Sequence, residues 1–151
     1  IKLQAALKAG SAYNTERDEA LAAIRENWEK VNAGTVINYC HSVISTMSGT
    51  NPTDAQKAGA LHAYGECVGF IHGWRTIPQA YKTITDAEID EILTLLNAPY
   101  NGTPTSWKFI SDPLNELPKL TQVIGKLKVT YGFTDQEIED FKKNWVAEQG
   151  R

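Results

Sequence analysis

The sequence is poor in the features that mark specialised classes of protein. Its two cysteines are too few for a disulfide-stabilised scaffold. No apolar run approaches the roughly 18 residues that a membrane-spanning helix needs. Fifteen basic residues nearly balance eighteen acidic ones, and the net charge of −3 favours neither nucleic acid nor an acidic membrane surface as the main partner. We therefore expect no nucleic-acid partner and no transmembrane segment in this chain.

Signatures of catalysis are also missing from the sequence. It contains no glycine-rich phosphate loop, no serine nucleophile elbow and no Cys-x-x-Cys pair. Because no reaction class is supported, we predict that the protein is not an enzyme and that it needs no cofactor.

The composition is that of an ordinary globular domain. Hydrophobic residues make up 42% of the chain and charged residues 22%, a balance that excludes a disordered protein. A chain of 151 residues can bury about two-thirds of its surface, so we predict one domain over residues 1–151. Ile1 stands inside a helical pattern with no capping residue before it. We expect the chain to be a fragment of a longer protein, whose remainder is then a partner.

Apolar residues recur at three- and four-residue steps along most of the chain, which is typical of amphipathic helices. The pattern predicts helices over 1–9, 16–47, 54–76, 86–97, 113–131 and 135–146. Gly10 and Gly132 are placed to end two of them, and Thr134 with Glu137 forms a capping box for the last. No segment alternates like a strand. We predict an all-α fold, an up-and-down bundle of five to six helices around a central glycine-rich helix.

The second predicted helix follows a cap at Asn14 or Thr15 and carries a long apolar stripe. We expect this stripe to be buried and the helix to bend near Gly34. The members of the stripe are Leu21, Ile24, Trp28, Val31, Ile37, Cys40, Ile44 and Met47. Trp74 and Trp145 fall on similar stripes of other helices, so we place both in the core.

The third predicted helix contains Gly59, Gly65, Gly69 and Gly73, and each internal glycine costs about 0.8 to 1 kcal/mol relative to alanine. The last three share one stripe with His62, and Glu66 borders it. The opposite arc is apolar and holds Ala60, Ala63, Tyr64, Cys67, Phe70, Ile71 and Trp74. Two interpretations follow. Either a neighbouring helix backbone approaches the glycines, or the stripe faces a groove in which a ligand meets bare backbone.

His62 and Glu66 lie four residues apart on that stripe. In an antiparallel pair of helices Cys40 would be level with His62, and His41 would lie near it. These side chains could ligate zinc or iron, whereas the simpler interpretation is a hydrogen-bonded pair in the core. The same arithmetic separates Cys40 from Cys67 by roughly 9 Å along the helix axis, so we predict two buried free thiols.

Several segments of the chain resemble a bacterial family, the domain-of-unknown-function family 4856, over nearly the whole length. The segments are RENWE at 25–29, NAGTVINY at 32–39, HAYGE at 62–66, GFI at 69–71 and YGFT at 131–134. This resemblance implies the C-terminal portion of a cell-envelope lipoprotein with a helical architecture similar to the imelysin-like proteins.

The imelysin-like proteins are associated with iron acquisition and carry a Gly-x-His-x-x-Glu motif. Here the spacing is Gly59-x-x-His62-x-x-x-Glu66, one residue longer on each side. The metal assignment of those proteins therefore does not carry over, and the resemblance supplies no catalytic residue.

Together these observations predict a non-enzymatic binding or structural module of a bacterial cell-envelope lipoprotein. The candidate ligand-binding residues are His62, Glu66, Gly65 and Gly69. The alternative is an imelysin-like domain that binds iron, haem or a divalent metal, with His62 and Glu66 as the metal ligands. A third class, an intracellular helical adaptor, would need an exposed apolar groove and no export signal on the full gene.

Overall fold

A computed structural model describes residues 1–143 of the chain. Within this range it is built from seven α-helices and two short 3-10 turns, and it has no strand. The helices are α1 Lys2–Ala9, α2 Asn14–Met47, α3 Asp54–Arg75, α4 Asp86–Leu95, α5 Lys108–Ser111, α6 Pro113–Tyr131 and α7 Asp135–Asp140. The predicted all-α bundle is confirmed. No helix in these residues combines the length and hydropathy required to cross a membrane.

The differences from the predicted helices are local. α5 has only four residues, too few to show a periodicity, and the sequence pattern predicts a loop there. α2 begins two residues early, with Tyr13 as its N-cap and no side-chain cap. Asn14, a predicted cap, instead accepts a hydrogen bond from Arg17 (2.9 Å). α7 ends at Asp140, so the predicted helix does not continue through Phe141, and the predicted core position of Trp145 lies outside the described residues.

Threonine caps start three of the helices, among them the predicted one at Thr134. Thr53, Thr85 and Thr134 each accept a hydrogen bond from the backbone three residues on, and each forms a complete capping box. α6 ends at Gly132, whose φ of 68° is left-handed. These start and stop signals depend on neighbouring residues alone, which is why the sequence shows them.

The core lies between the C-terminal half of α2 and helices α3, α4 and α6, which pack against one another. On α3 the predicted apolar arc is buried, apart from Phe70, which remains 36% exposed. α2 is continuous through Gly34, where the ring of Phe141 lies so close that an added Cβ would be 2.8 Å from it.

The N-terminal half of α2 does not bury the stripe predicted for it. Trp28 is 75% exposed and Val31 is 69% exposed, whereas Glu29 is 4% exposed. Asn32 donates to the carbonyl oxygen of Phe70, and α3 ends five residues later at Arg75, so only the end of α3 lies beside the part of α2 before Asn32. Ile24 in that part is 49% exposed.

The two cysteines lie closer together than their predicted offset of 9 Å along the helix axis suggests. The sulfur atoms of Cys40 and Cys67 are 3.8 Å apart. Both thiols are nevertheless buried and free, as predicted. The hydrogen bond with Cys67 and burial raise the pKa of the Cys40 thiol.

Candidate functional site

A groove of about 860 Å³ runs between α2, α3 and the connection that follows α3. We call it the α2/α3 groove. It is lined by Ile24, Arg25, Trp28, Glu29, Asn32, Gly65, Glu66, Gly69, Phe70, Gly73, Trp74, Thr76, Ile77, Pro78 and Tyr81. Small-molecule sites in proteins are concavities of this size with mostly apolar linings.

The glycine stripe of α3 forms the floor of the groove. Gly65, Gly69 and Gly73 are exposed, and a Cβ added to any of them would meet no described atom within 4 Å. At 1.5 Å per residue the stripe is about 12 Å long. The predicted close approach of a helix backbone is therefore wrong for residues 1–143. The open floor agrees with the alternative interpretation, a groove that exposes bare backbone.

Aromatic side chains form the walls of the groove. Trp28 and Tyr81 are 75% and 52% exposed, and the ring of Phe70 is 36% exposed. The guanidinium carbon of Arg25 lies 4.2 Å from the centroid of the Tyr81 ring, a cation–π contact. Exposed rings beside bare backbone suit a ligand that has rings or other flat apolar surfaces.

Glu29 attaches the connection after α3 to α2. Its carboxylate accepts hydrogen bonds from the backbone N–H groups of Thr83 (2.9 and 2.8 Å) and Ile84 (2.9 Å). The hydroxyl of Tyr131 on α6 donates to the same carboxylate (2.8 Å). Burial and this hydrogen bond raise the pKa of the Tyr131 hydroxyl. We call Glu29 with these three donors the Glu29 clamp. It holds α2, the connection after α3 and α6 together beside the groove.

Lys82 secures the same connection from the other side. Its ammonium group is almost fully buried and donates to the carbonyl oxygen of Trp74 at the end of α3 (3.1 Å). It also pairs with Asp86, a pairing that lowers the pKa of that carboxyl group. With both ends tied to helices, the segment that carries Tyr81 forms a fixed wall.

The predicted site residues fall partly inside the groove. Gly65, Glu66 and Gly69 line it, whereas His62 does not. The His62 side chain is 78% exposed and its Nε2 lies 4.0 Å from a carboxylate oxygen of Glu66. The pair is therefore on the surface, and the predicted hydrogen-bonded core pair is wrong.

The other proposed metal ligands lie elsewhere. Cys40 is in the core against Cys67, and His41 lies near α7, where burial and Lys142 lower its pKa. His62 and Glu66 gain no third ligand from the described chain, which holds no group of three or more His, Cys, Asp or Glu side chains suited to a metal ion.

A second buried polar cluster fixes the corner after α4. The carboxylate of Glu116 accepts hydrogen bonds from Asn97 (2.6 Å) and Lys119 (2.5 Å). Asn97 has a left-handed φ of 57°, and its carbonyl oxygen accepts from the Thr105 N–H (2.8 Å). Desolvation opposes the charge of Glu116, but its two hydrogen-bond donors prevail and lower its pKa. These contacts explain a loop without suggesting a ligand.

Sequence reasoning missed Glu29, Arg25 and Tyr81 as residues of the site. Glu29 and Arg25 occupy positions that the helical pattern assigns to the solvent face, and Tyr81 lies outside the predicted helices. The one sequence signal for a site on α2 was the RENWE segment at 25–29, in which charged residues flank a tryptophan.

Comparisons with models of protein families, with curated proteins and with solved structures found no match to this chain. The resemblance to the bacterial family 4856 therefore stays a prediction, and the groove is the feature of the molecule that bears on function.

Proposed function

We propose that the protein is a non-enzymatic binding module and that the α2/α3 groove holds a small molecule with an apolar, ring-bearing body. The observation that carries this proposal is the open glycine floor. Three glycines on one face of α3 cost about 3 kcal/mol relative to alanine, and no described atom near them requires the absence of a side chain. Clearance for a ligand accounts for that cost.

The walls of the groove support the same class of ligand. Trp28, Phe70 and Tyr81 expose rings toward solvent although large apolar side chains are ordinarily buried. The Glu29 clamp and the buried Lys82 hold the connection that carries Tyr81. A groove that is formed before the ligand arrives loses less entropy on binding.

The proposal can be tested with N-phenylnaphthylamine, an uncharged aromatic probe whose fluorescence rises in apolar surroundings. We expect the wild-type protein to bind it, and Gly69→Leu to weaken binding at least about tenfold because the leucine fills the floor. The control is Gly59→Leu, since Gly59 is an equally open position of α3 that does not line the groove.

Both variants should fold, because neither leucine Cβ meets a described atom within 4 Å. Circular dichroism checks this requirement. If Gly69→Leu binds the probe as tightly as the wild type, or if both variants lose it equally, the groove is not the binding site.

We further propose, on the resemblance alone, that the parent protein is a lipoprotein of the bacterial cell envelope. Fractionation of cells that express the full-length gene product tests this placement. Recovery in the cytoplasmic fraction would contradict it and would favour the intracellular adaptor, since the structure does have an exposed apolar groove.

The alternative, a domain that binds iron, haem or a divalent metal, is favoured by one observation, the 4.0 Å separation of His62 and Glu66. For haem the groove itself offers no histidine, cysteine or methionine as an axial ligand. Metal titration separates this alternative from the first proposal.

A further inference from the structure

Arg25 is an arginine whose charge has no acidic partner within the described residues. Of the three arginines in residues 1–143, Arg17 pairs with Asp18 and Arg75 pairs with Asp90. Arg25 forms no hydrogen bond or ion pair there, and its guanidinium group is held over the Tyr81 ring at the edge of the α2/α3 groove.

The nearest acidic residue on the same helix face is already engaged. Arg25 and Glu29 are four residues apart, a spacing at which opposite charges pair on a helix surface. Glu29 instead turns inward, and its carboxylate receives the Thr83, Ile84 and Tyr131 donors. The guanidinium group therefore keeps its N–H donors available to a molecule in the groove.

A buried donor of a residue that lines the groove also lacks an acceptor. Trp74 lines the groove and is 1% exposed, and its indole N–H has no hydrogen-bond partner in the described part of the chain. Buried donors in proteins are nearly always paired. Arg25 is therefore an exposed donor at the groove that has no acceptor among the described residues, and Trp74 adds an unpaired donor buried beside the groove.

We infer that the ligand of the α2/α3 groove is an organic anion, whose charged group is bound by Arg25 while its apolar rings lie against the aromatic walls and the glycine floor. A guanidinium group offers a planar pair of N–H donors that fits a carboxylate, sulfonate or phosphate oxygen pair. This makes Arg25 the residue that determines specificity. The inference rests on the proposed function, since it names the class of molecule that the same groove binds.

Two probes of nearly the same shape test the charge requirement, naphthoate and the uncharged naphthylmethanol. Titration calorimetry at low ionic strength should show that the wild-type protein binds naphthoate at least about tenfold more tightly than the alcohol. In Arg25→Gln the affinity for naphthoate should fall to that for the alcohol, while the affinity for the alcohol should not change. Arg25→Lys should keep part of the preference, because lysine retains the charge and loses the planar fork.

Arg17→Gln is the matched control, since Arg17 is on the same helix and away from the groove. It should bind both probes as the wild type does. Equal affinity of the wild type for the two probes, or a preference that survives in Arg25→Gln, would overturn the inference. An equal loss of both probes in Arg25→Gln would also overturn it, because Arg25 would then act through packing.

Failure of the proposed function gives a different result. In that case neither probe binds the wild-type protein, or Gly69→Leu leaves the affinity for both unchanged. Raising the salt concentration is a further check, because it should weaken naphthoate binding and leave the alcohol unaffected.

Discussion

Replacing Glu29 by alanine should destabilise the protein more than any change at an exposed residue of α2. The substitution removes the acceptor of the Ile84 N–H and the Tyr131 hydroxyl, which are both buried, and of the partly buried Thr83 N–H. A buried donor left without a partner costs about 1 to 3 kcal/mol. Water can reach the Thr83 N–H, so we count only the two buried donors and expect the free energy of unfolding to fall by about 2 to 6 kcal/mol.

Urea unfolding followed by far-ultraviolet circular dichroism measures this loss as a lower midpoint with an unchanged slope. The urea midpoint of Glu29→Gln should lie between those of Glu29→Ala and the wild type, because the glutamine amide keeps one acceptor oxygen and turns its NH₂ group toward donors. Glu26→Gln is the control. Glu26 lies nearly one turn earlier on α2, and its ion pair with Lys30 is exposed, so its midpoint should hardly move.

A loss below about 1 kcal/mol in Glu29→Ala would refute the reasoning, since it would mean that the buried donors find other acceptors. The clamp also holds one wall of the groove. We therefore expect Glu29→Ala to weaken binding of N-phenylnaphthylamine, even at temperatures where the variant is fully folded.

The remaining predictions concern the thiols and the metal alternative. Cys40 and Cys67 should react slowly with an aromatic disulfide reagent in the folded protein and at once in denaturant, because both thiols are buried and the pKa of Cys40 is raised. A Cys40–Cys67 bridge found by mass spectrometry of unreduced protein would contradict the expectation of free thiols. Zinc or ferrous iron should leave the melting temperature unchanged, because His62 and Glu66 are exposed and gain no third ligand from the described residues. The metal alternative would instead raise the free energy of unfolding by about 2.7 kcal/mol when the metal is in hundredfold excess over its Kd. That rise should be abolished in His62→Ala and kept in His72→Ala.

The helices and their ends could be read from the sequence because the signals are local. A threonine cap such as Thr134 satisfies N–H groups three residues away, and Gly132 can adopt a left-handed φ whatever surrounds it. The same holds for the apolar arc of α3, whose buried face follows from helical periodicity. No tertiary contact is needed for these conclusions.

The candidate site could be predicted only in part. The glycine stripe was visible in the sequence as an unusual cost, but periodicity does not say whether a stripe meets a helix or open space. Gly65, Glu66 and Gly69 do line the groove, whereas His62 points elsewhere on the surface. The other residues that line the groove belong to α2 and to the connection after α3. They are distant in sequence from the glycine stripe, and no local pattern links them to it.

By itself, then, the sequence determined an all-α protein with these helices, these caps and a glycine stripe on α3, because each depends on residues within one or two turns. The tertiary structure decided which half of α2 is covered. Only the end of α3 lies beside the part of α2 before Asn32, and Trp28 there stays exposed, whereas Glu29 turns inward to the donors of a distant segment. Periodicity marks apolar positions, but burial requires a neighbouring surface, and only the packed chain shows where one is present.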